Sequence, residues 1–451
     1  MERATRGVAL VALSLFVLGL TLGIGAATAP DRGVATAGDG TTGTLVGSQG
    51  GGPGWHEKGS VYLVENGSIA WREDSADSYF DVTMLPDGTV MAGFMHSGYD
   101  SDCGPYETPC TKTGFRIIDP DAAGGPAVVG EYAFPVRTAK NSETHDVERL
   151  ASGEYLLSDM EHERIFTVRG VESDDPEITW QWNASSFYDA PPDPTRRDWL
   201  HINDVDAVNQ THYLVSVRNA NQLLLVERGA GVVEVVNADH GGDDGSCQVR
   251  GEQLADFDGD GDVRCGNPEV LDHQHNPQWL GDGAVLVADS DNDRVVELHR
   301  ADDGRWEPAW TLTRAGGIDI RWPRDADRLD NGNTLVTDTL NKRVFEVTPD
   351  GTVVWSTETP SDSPIPYEAE RLPEGERVGG VLYGPGDESG AESSTSTPAP
   401  TPESVPGLSL ALVGLQAVAP WTPFWFGELH LALAVLSVLG VVIGTGTWYR
   451  G

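Results

Sequence analysis

Residues 275–298 read HNPQWLGDGAVLVADSDNDRVVEL. A polar start is followed by an apolar residue, a Gly turn, an alternating strand, Asp289, a polar turn, Arg294 and a second strand. Residues 145–168, HDVERLASGEYLLSDMEHERIFTV, and 324–347, RDADRLDNGNTLVTDTLNKRVFEV, repeat the pattern without a gap. All three place Leu at the sixth position, Gly at the ninth, Asp at the fifteenth and Arg at the twentieth. Looser copies begin at Phe80, Asn203 and Tyr367. Six units of short strands punctuated by Gly and Asn turns predict sheets arranged around an axis, an all-β fold with six propeller blades. The matched pairs Asp159 with Arg164, Asp289 with Arg294 and Asp338 with Arg343 are expected to bridge hairpin turns and to carry no chemistry.

In a propeller the innermost strand of each blade begins at one mouth of the central channel. The first repeat position therefore forms a ring: Phe80, His145, Asn203, His275, Arg324 and Tyr367. Two positions upstream the third and fourth units carry His201 and His273. Residues i and i+2 of a strand share a face, so His273 is expected to point with His275, and His201 with Asn203. Arg218, in LVSVRNANQ, reaches the same region. A lone histidine at a strand end is an ordinary satisfied side chain. Four in register with an arginine have few apolar neighbours to serve and point to a site. His96, His162, His212, His240 and His299 lack that register.

Three readings stay open for such a site. Imidazoles beside arginines suit an anion-transferring centre. His-x-His with two further histidines suits zinc or copper, although the arginines would repel a cation. A recognition propeller without catalysis is the third.

The stretches HDVERLASGEYLL, DWLHINDVDAV followed by LVSVRNANQ, and QHNPQWL resemble the arylsulfotransferase family over roughly residues 75–380. The resemblance implies a six-bladed propeller that moves a sulfuryl group from an aryl sulfate donor to a phenolic acceptor. It implies a sulfohistidine intermediate, ping-pong kinetics and no nucleotide cofactor. The family's nucleophilic histidine falls on His275, and its assisting histidines fall on His201 and His145. Its arginine falls on Arg218, with Asn203, His273 and Arg324 as further substrate-binding candidates. Between the first apolar segment and Phe80 there is no room for the extra N-terminal domain common in the family's periplasmic members. That leaves the oligomeric state open.

Composition bounds the partners. The 451 residues include 70 acidic and 30 basic side chains, a formal charge of −40, with 39% hydrophobic residues. Nucleic acid is excluded as a partner by repulsion. Scattered acids over a sufficient core suit a soluble surface working in high salt. Both ends are apolar. Residues 1–29 read as a transmembrane anchor or signal sequence, with ATA at 27–29 resembling a cleavage site. Residues 57–386 are expected to hold the propeller, 387–406 a Ser/Thr/Pro/Glu stalk, and 407–451 an interfacial aromatic belt and a second span. Arg3, Arg6 and Arg450 lie on the outer flanks of the spans, so the positive-inside rule predicts cytoplasmic termini and an extracellular, membrane-tethered propeller.

Cys103 with Cys110 and Cys247 with Cys265 are the pairings with the shortest closures, and they fit an oxidising compartment. DFDGDGD, with Asp256, Asp258, Asp260 and Asp262, has the spacing of a structural calcium loop, but Asn267 stands where the closing Glu belongs. It reads as a calcium loop or as a bare acidic loop.

Overall fold

A computed structural model describes residues 2–30, 43–52, 55–139, 142–173, 175–238, 254–257, 259, 263–384, 406–419 and 421–449. Six four-stranded antiparallel sheets are the blades of a propeller, and a two-stranded ribbon joins them. The innermost strands of blades 1 to 5 are Ser78–Met84, Val147–Arg149, Ile202–Ala207, His275–Gly281 and Pro323–Arg328. Each is followed outward by three hairpin-connected strands. The expected ring register is thus reproduced in all five.

Blade 6 is built from both ends of the domain. Its innermost strand Ile365–Arg371 pairs with Thr44–Gly50, and Ser60–Glu65 and Ser68–Glu73 complete the sheet. The propeller therefore begins at Thr44, upstream of residue 57. Gly and Ser allow the closing strand to pass close by: a Cβ added at Gly47 would lie 2.1 Å from the Phe80 carbonyl oxygen.

Among the described residues, each pair of neighbouring blades shares an apolar cluster, and a smaller one joins Phe80, Met95 and Tyr367. Alternation along a strand sends successive side chains into different clusters. Val285 and Val287 pack with blade 3, whereas Leu286, between them, packs with blade 5. Leu45 likewise packs with blade 1 and Val46 with blade 5. Fully burying one such side chain stabilises by about 1.5–3 kcal/mol. At the hairpins, Arg Nε meets Asp Oδ2 at 2.8 Å for Asp159–Arg164, 2.7 Å for Asp289–Arg294 and 2.8 Å for Asp338–Arg343. These pairs are structural, as their repeat positions predict.

The terminal segments form a separate unit. Helix α1 (Glu2–Thr28), helix α2 (Pro406–Val418) and helix α3 (Glu428–Tyr449) account for most of it. Residues Arg3–Thr28 and Glu428–Tyr449 are each long and apolar enough to cross a membrane. α1 and α3 pack closely at small residues: a Cβ on Gly440 would meet Ser14 Oγ at 2.1 Å, and one on Gly444 would meet Val11 Cγ2 at 2.7 Å. Small residues four apart are what lets helix backbones approach in lipid. Helix α2 falls in the segment expected to be an interfacial belt before the second span.

Cys103 and Cys110 form a disulfide. Cys265 is also disulfide-bonded, while Cys247 lies outside the described residues. Of the acidic loop, Asp258, Asp260 and Asp262 lie outside them too, and Asp256 accepts a hydrogen bond from Gly259 N–H at 2.6 Å. The stalk, apart from Pro406, is likewise not described.

Candidate active site

The ring residues face the channel because the backbone is bulged at them. In blade 3, Ile202 pairs with Val217 and Asp204 with Ser216, which leaves Asn203 unpaired. Arg324 and Tyr367 are the extra residues of blades 5 and 6, and blades 1 and 4 shift register beside Phe80 and His275. In blade 2 the ladder starts only at Val147, and Asp146 N–H turns to Ser158 Oγ. A bulge twists a strand locally and re-aims a side chain.

Two residues upstream, His201, His273 and Trp322 have left-handed backbones (φ 57°, 50° and 51°). Each N–H is accepted by the left-handed turn residue of the preceding blade: Glu163, Asn221 and Asp293. This recurring lock, a strained residue held by its neighbour blade, fixes where the mouth side chains start. It also overturns the expected i, i+2 alignment, because the upstream residue is not in strand conformation. His273 turns to Asp291 (Nδ1 to Oδ2 2.8 Å), whose other oxygen accepts from Trp322 Nε1 at 2.9 Å.

His275 is 1% exposed. Its Nδ1 lies 2.7 Å from Ser290 Oγ and 3.1 Å from the His273 carbonyl oxygen. Ser290 spends its only proton on the Pro323 carbonyl, 2.6 Å away. Both neighbours of Nδ1 are therefore acceptors, so Nδ1 carries the ring proton and Nε2 keeps a lone pair. Burial, reinforced by the Arg324 and Arg218 charges, holds the imidazole well below its ordinary pKa. The ring is neutral and nucleophilic at pH 7.

Arg324 lies beneath an aromatic wall, its guanidinium 4.4 Å from the Trp322 ring centroid, 4.8 Å from Tyr367 and 5.8 Å from Trp55. It donates to Gln49 Oε1 at 2.7 Å. No carboxylate pairs with it among the described residues. Burial pushes its pKa down to about 10, which leaves it charged at neutral pH. Buried Nε of Arg324, Nε of Arg218, Tyr367 Oη and Trp55 Nε1 all lack hydrogen-bond partners. Unsatisfied buried donors are costly, and here they gather at one mouth.

His201 is oriented by Asp198, Nδ1 to Oδ1 2.7 Å, and Arg218 lies 3.9 Å from the other carboxylate oxygen. Arg218 Nη1 comes within 3.2 Å of His201 Nδ1. His145 is stacked between His201 and Tyr367, with ring centroids 5.3 Å from each, and Phe80 meets it edge-on. Burial keeps His145 well below its ordinary pKa. Beside it Glu143 would be raised by burial, but the hydrogen bond and charge of His56 (3.0 Å) bring it below the usual carboxylate range. Asn203 donates to the Gln274 carbonyl at 2.8 Å, and its Oδ1 is unpartnered.

The structure thus brings together His275, His201, His145, Arg218, Arg324 and Asn203, and sets His273 as a support of the wall. Among the described residues the one group of potential metal ligands that includes a histidine is Asp272, His273 and Asp291, and it does not include His275, His201 or His145. Sequence reasoning missed Ser290, Asp198, Glu143, Trp322 and the closing segment with Gln49, Trp55 and His56. Tyr367 was placed in the ring but given no role. Only GWHEKG, residues 54–59, carried a visible signal for the closing segment, a Trp-His pair in a Gly-rich stretch.

No protein-family model matches the chain, and no curated protein matches it. Among solved structures it is similar to a protein of unknown function from Bacteroides caccae, with 12% identity over 74% of this chain and 99% of that one, TM-score 0.47. It is similar to the periplasmic gluconolactonase of Pseudomonas aeruginosa, with 11% identity over 73% and 98% of the two chains, TM-score 0.41. A catalytically inactive virginiamycin B lyase from Staphylococcus aureus with quinupristin shows 9% identity over 69% and 84%, TM-score 0.38.

Proposed function

We propose that the chain transfers a sulfuryl group from an aryl sulfate to a phenolic or other hydroxyl acceptor, with His275 as the nucleophile. The observation that carries this reading is a neutral imidazole, its Nδ1 proton held by Ser290, facing buried unpaired donors of Arg324, Arg218 and Tyr367. A sulfate ester offers three anionic oxygens to such donors, and an aromatic leaving group suits walls of Tyr367, Trp322 and Phe80. Two guanidinium groups favour an anion over a metal cation at this mouth.

His275 Nε2 attacks sulfur; the N–S bond forms as the S–O bond to the aryl group breaks. His201, oriented by Asp198, is the acid that gives a proton to the departing phenolate. The acceptor hydroxyl then returns a proton to His201 and attacks sulfur, and the N–S bond breaks to restore His275. Charge spread over the sulfuryl oxygens is stabilised by Arg324 and Arg218, the role cations play in phosphoryl transfer. The two end helices we read as anchors that hold the propeller outside the cell, in keeping with the Cys103–Cys110 disulfide.

The test is turnover of 4-nitrophenyl sulfate with phenol in high salt, followed by nitrophenol release and intact mass. Nitrophenol release with a sulfuryl mass on the wild type, and neither in His275→Ala, is the expected result. Absence of release with every phenolic acceptor tried would sink the proposal.

A further inference from the structure

On the same innermost strands, just past the histidine–arginine ring, the channel turns acidic. The residues that follow the ring positions are Asp81, Asp146, Asp204, Asn276, Asp325 and Glu368. Two residues further on come Glu148, Asp206, Asp327 and Glu370. They come from different blades yet interact strongly with one another and with Glu376. Glu376 sits on the segment that follows blade 6, where Gly379 N–H bonds the Trp279 carbonyl at 2.7 Å and Gln278 Nε2 bonds the Arg377 carbonyl at 3.0 Å.

Two groups of carboxylates share Glu376, each with ligand oxygens within 4.8 Å of one another: Asp81 with Glu368, and Glu148 with Asp206. They differ in how they are satisfied. Asp81 accepts from Val147 N–H, and Glu368 accepts from Val82 N–H and Asn276 Nδ2. Asp206 Oδ2 is buried with no partner, and so is Oδ2 of the neighbouring Asp204; the residues are 6% and 3% exposed. Oxygens on opposite sides of one calcium ion stand about 4.6–5.2 Å apart, given bonds of roughly 2.3–2.6 Å. The spacing of the group fits one ion.

We propose that Glu148, Asp206 and Glu376 bind a hard divalent cation of calcium's class in the channel, with Asp204 closing its shell. Buried like charges with unpartnered oxygens need a cation or protons. An ion would draw together carboxylates from two blades and a third segment: Glu148 from blade 2, Asp206 from blade 3 and Glu376 from the segment after blade 6. It is separate from the DFDGDGD loop and from the sulfuryl-transfer chemistry, and it does not depend on that chemistry.

The experiment uses the full chain, stripped with EDTA, in high-salt buffer. Titration with CaCl2 is followed by calorimetry and by thermal unfolding, with MgCl2 as a parallel arm. One saturable calcium site and a rise of roughly 3 °C or more in the unfolding midpoint are expected. Asp206→Asn with Glu376→Gln should remove that site and that rise. Absence of saturable binding by the wild type overturns the proposal, leaving the carboxylates neutralised by protons. Binding that survives unchanged in the folded double variant also overturns it, by locating the ion elsewhere. If the variant fails to fold, terbium luminescence of the wild type decides: emission displaced by calcium is expected, and no emission counts against the site.

Discussion

The mouth and the throat of the channel are one residue apart in sequence and opposite in chemistry. His145 precedes Asp146, Asn203 precedes Asp204, Arg324 precedes Asp325 and Tyr367 precedes Glu368. The mouth leaves donors unpaired, Nε of Arg324 and of Arg218; the throat leaves acceptors unpaired, Oδ2 of Asp204 and of Asp206. A bulge at the junction lets neighbouring residues of one strand serve different chambers. The unpaired groups of each chamber call for a partner of opposite sign, an anion above and a cation below.

The difference can be broken most sharply at the mouth. His275→Ala should lower kcat by at least about 10³-fold, measured by nitrophenol release, because it removes the proposed nucleophile. Arg324→Met should cost about 10²–10³ in kcat/KM, with part restored in Arg324→Lys, as expected when charge stabilisation in a dry site is lost. Between the blades, Leu286→Ala should destabilise by about 2–5 kcal/mol in urea unfolding, while the folded protein keeps the proposed activity.

The acid limb offers a finer test. A histidine with the ordinary pKa near 6.5 is only about a quarter neutral at pH 6. Burial and the arginine charges lower His275, so the first-turnover burst should keep nearly its full His275-dependent rate at pH 6 and fall only well below it. The sign follows from the chemistry: the neutral form attacks, and lowering the pKa extends that form toward acid. The smallest effect belongs to the throat. Asp327 is raised by burial and by the charge of Asp325. Asp327→Asn should leave turnover within about two-fold and raise the unfolding midpoint slightly, as repulsion is removed.

The blades and the ring were legible because repeat positions recur: a Leu, Gly, Asp and Arg pattern marks three repeats, looser copies at Phe80, Asn203 and Tyr367 mark the others, and together they put His145, Asn203, His275 and Arg324 at one level. The left-handed turn at His201 and His273 was not legible, since it depends on acceptors from the preceding blade, Glu163 and Asn221. Nor was the wall of Gln49, Trp55 and His56, which reaches the mouth only when the first strand pairs with the last. The throat was hidden for another reason. Against 70 acidic residues the buried carboxylates of the channel looked like more of a salt-adapted surface. An acid follows the ring position in five of the six repeats, with Asn276 in the fourth, but in so acidic a chain that recurrence does not stand out.

Blade 6 also has a mechanical side. Thr44 pairs with Arg371 and Gly50 with Ile365, so the two ends of the propeller leave side by side from the same end of one strand pair. Tension drawn between those ends loads the hydrogen bonds one after another, as in a zip, starting at Thr44, and not all at once as in shear. Once Leu45 to Ser48 have been drawn off, the residues that follow are Gln49, Trp55 and His56. A pull on those ends would therefore first draw Leu45 and Val46 from the clusters they share with blades 1 and 5, and only then strip the mouth of Gln49, the neutral hydrogen-bond partner of Arg324 among the described residues.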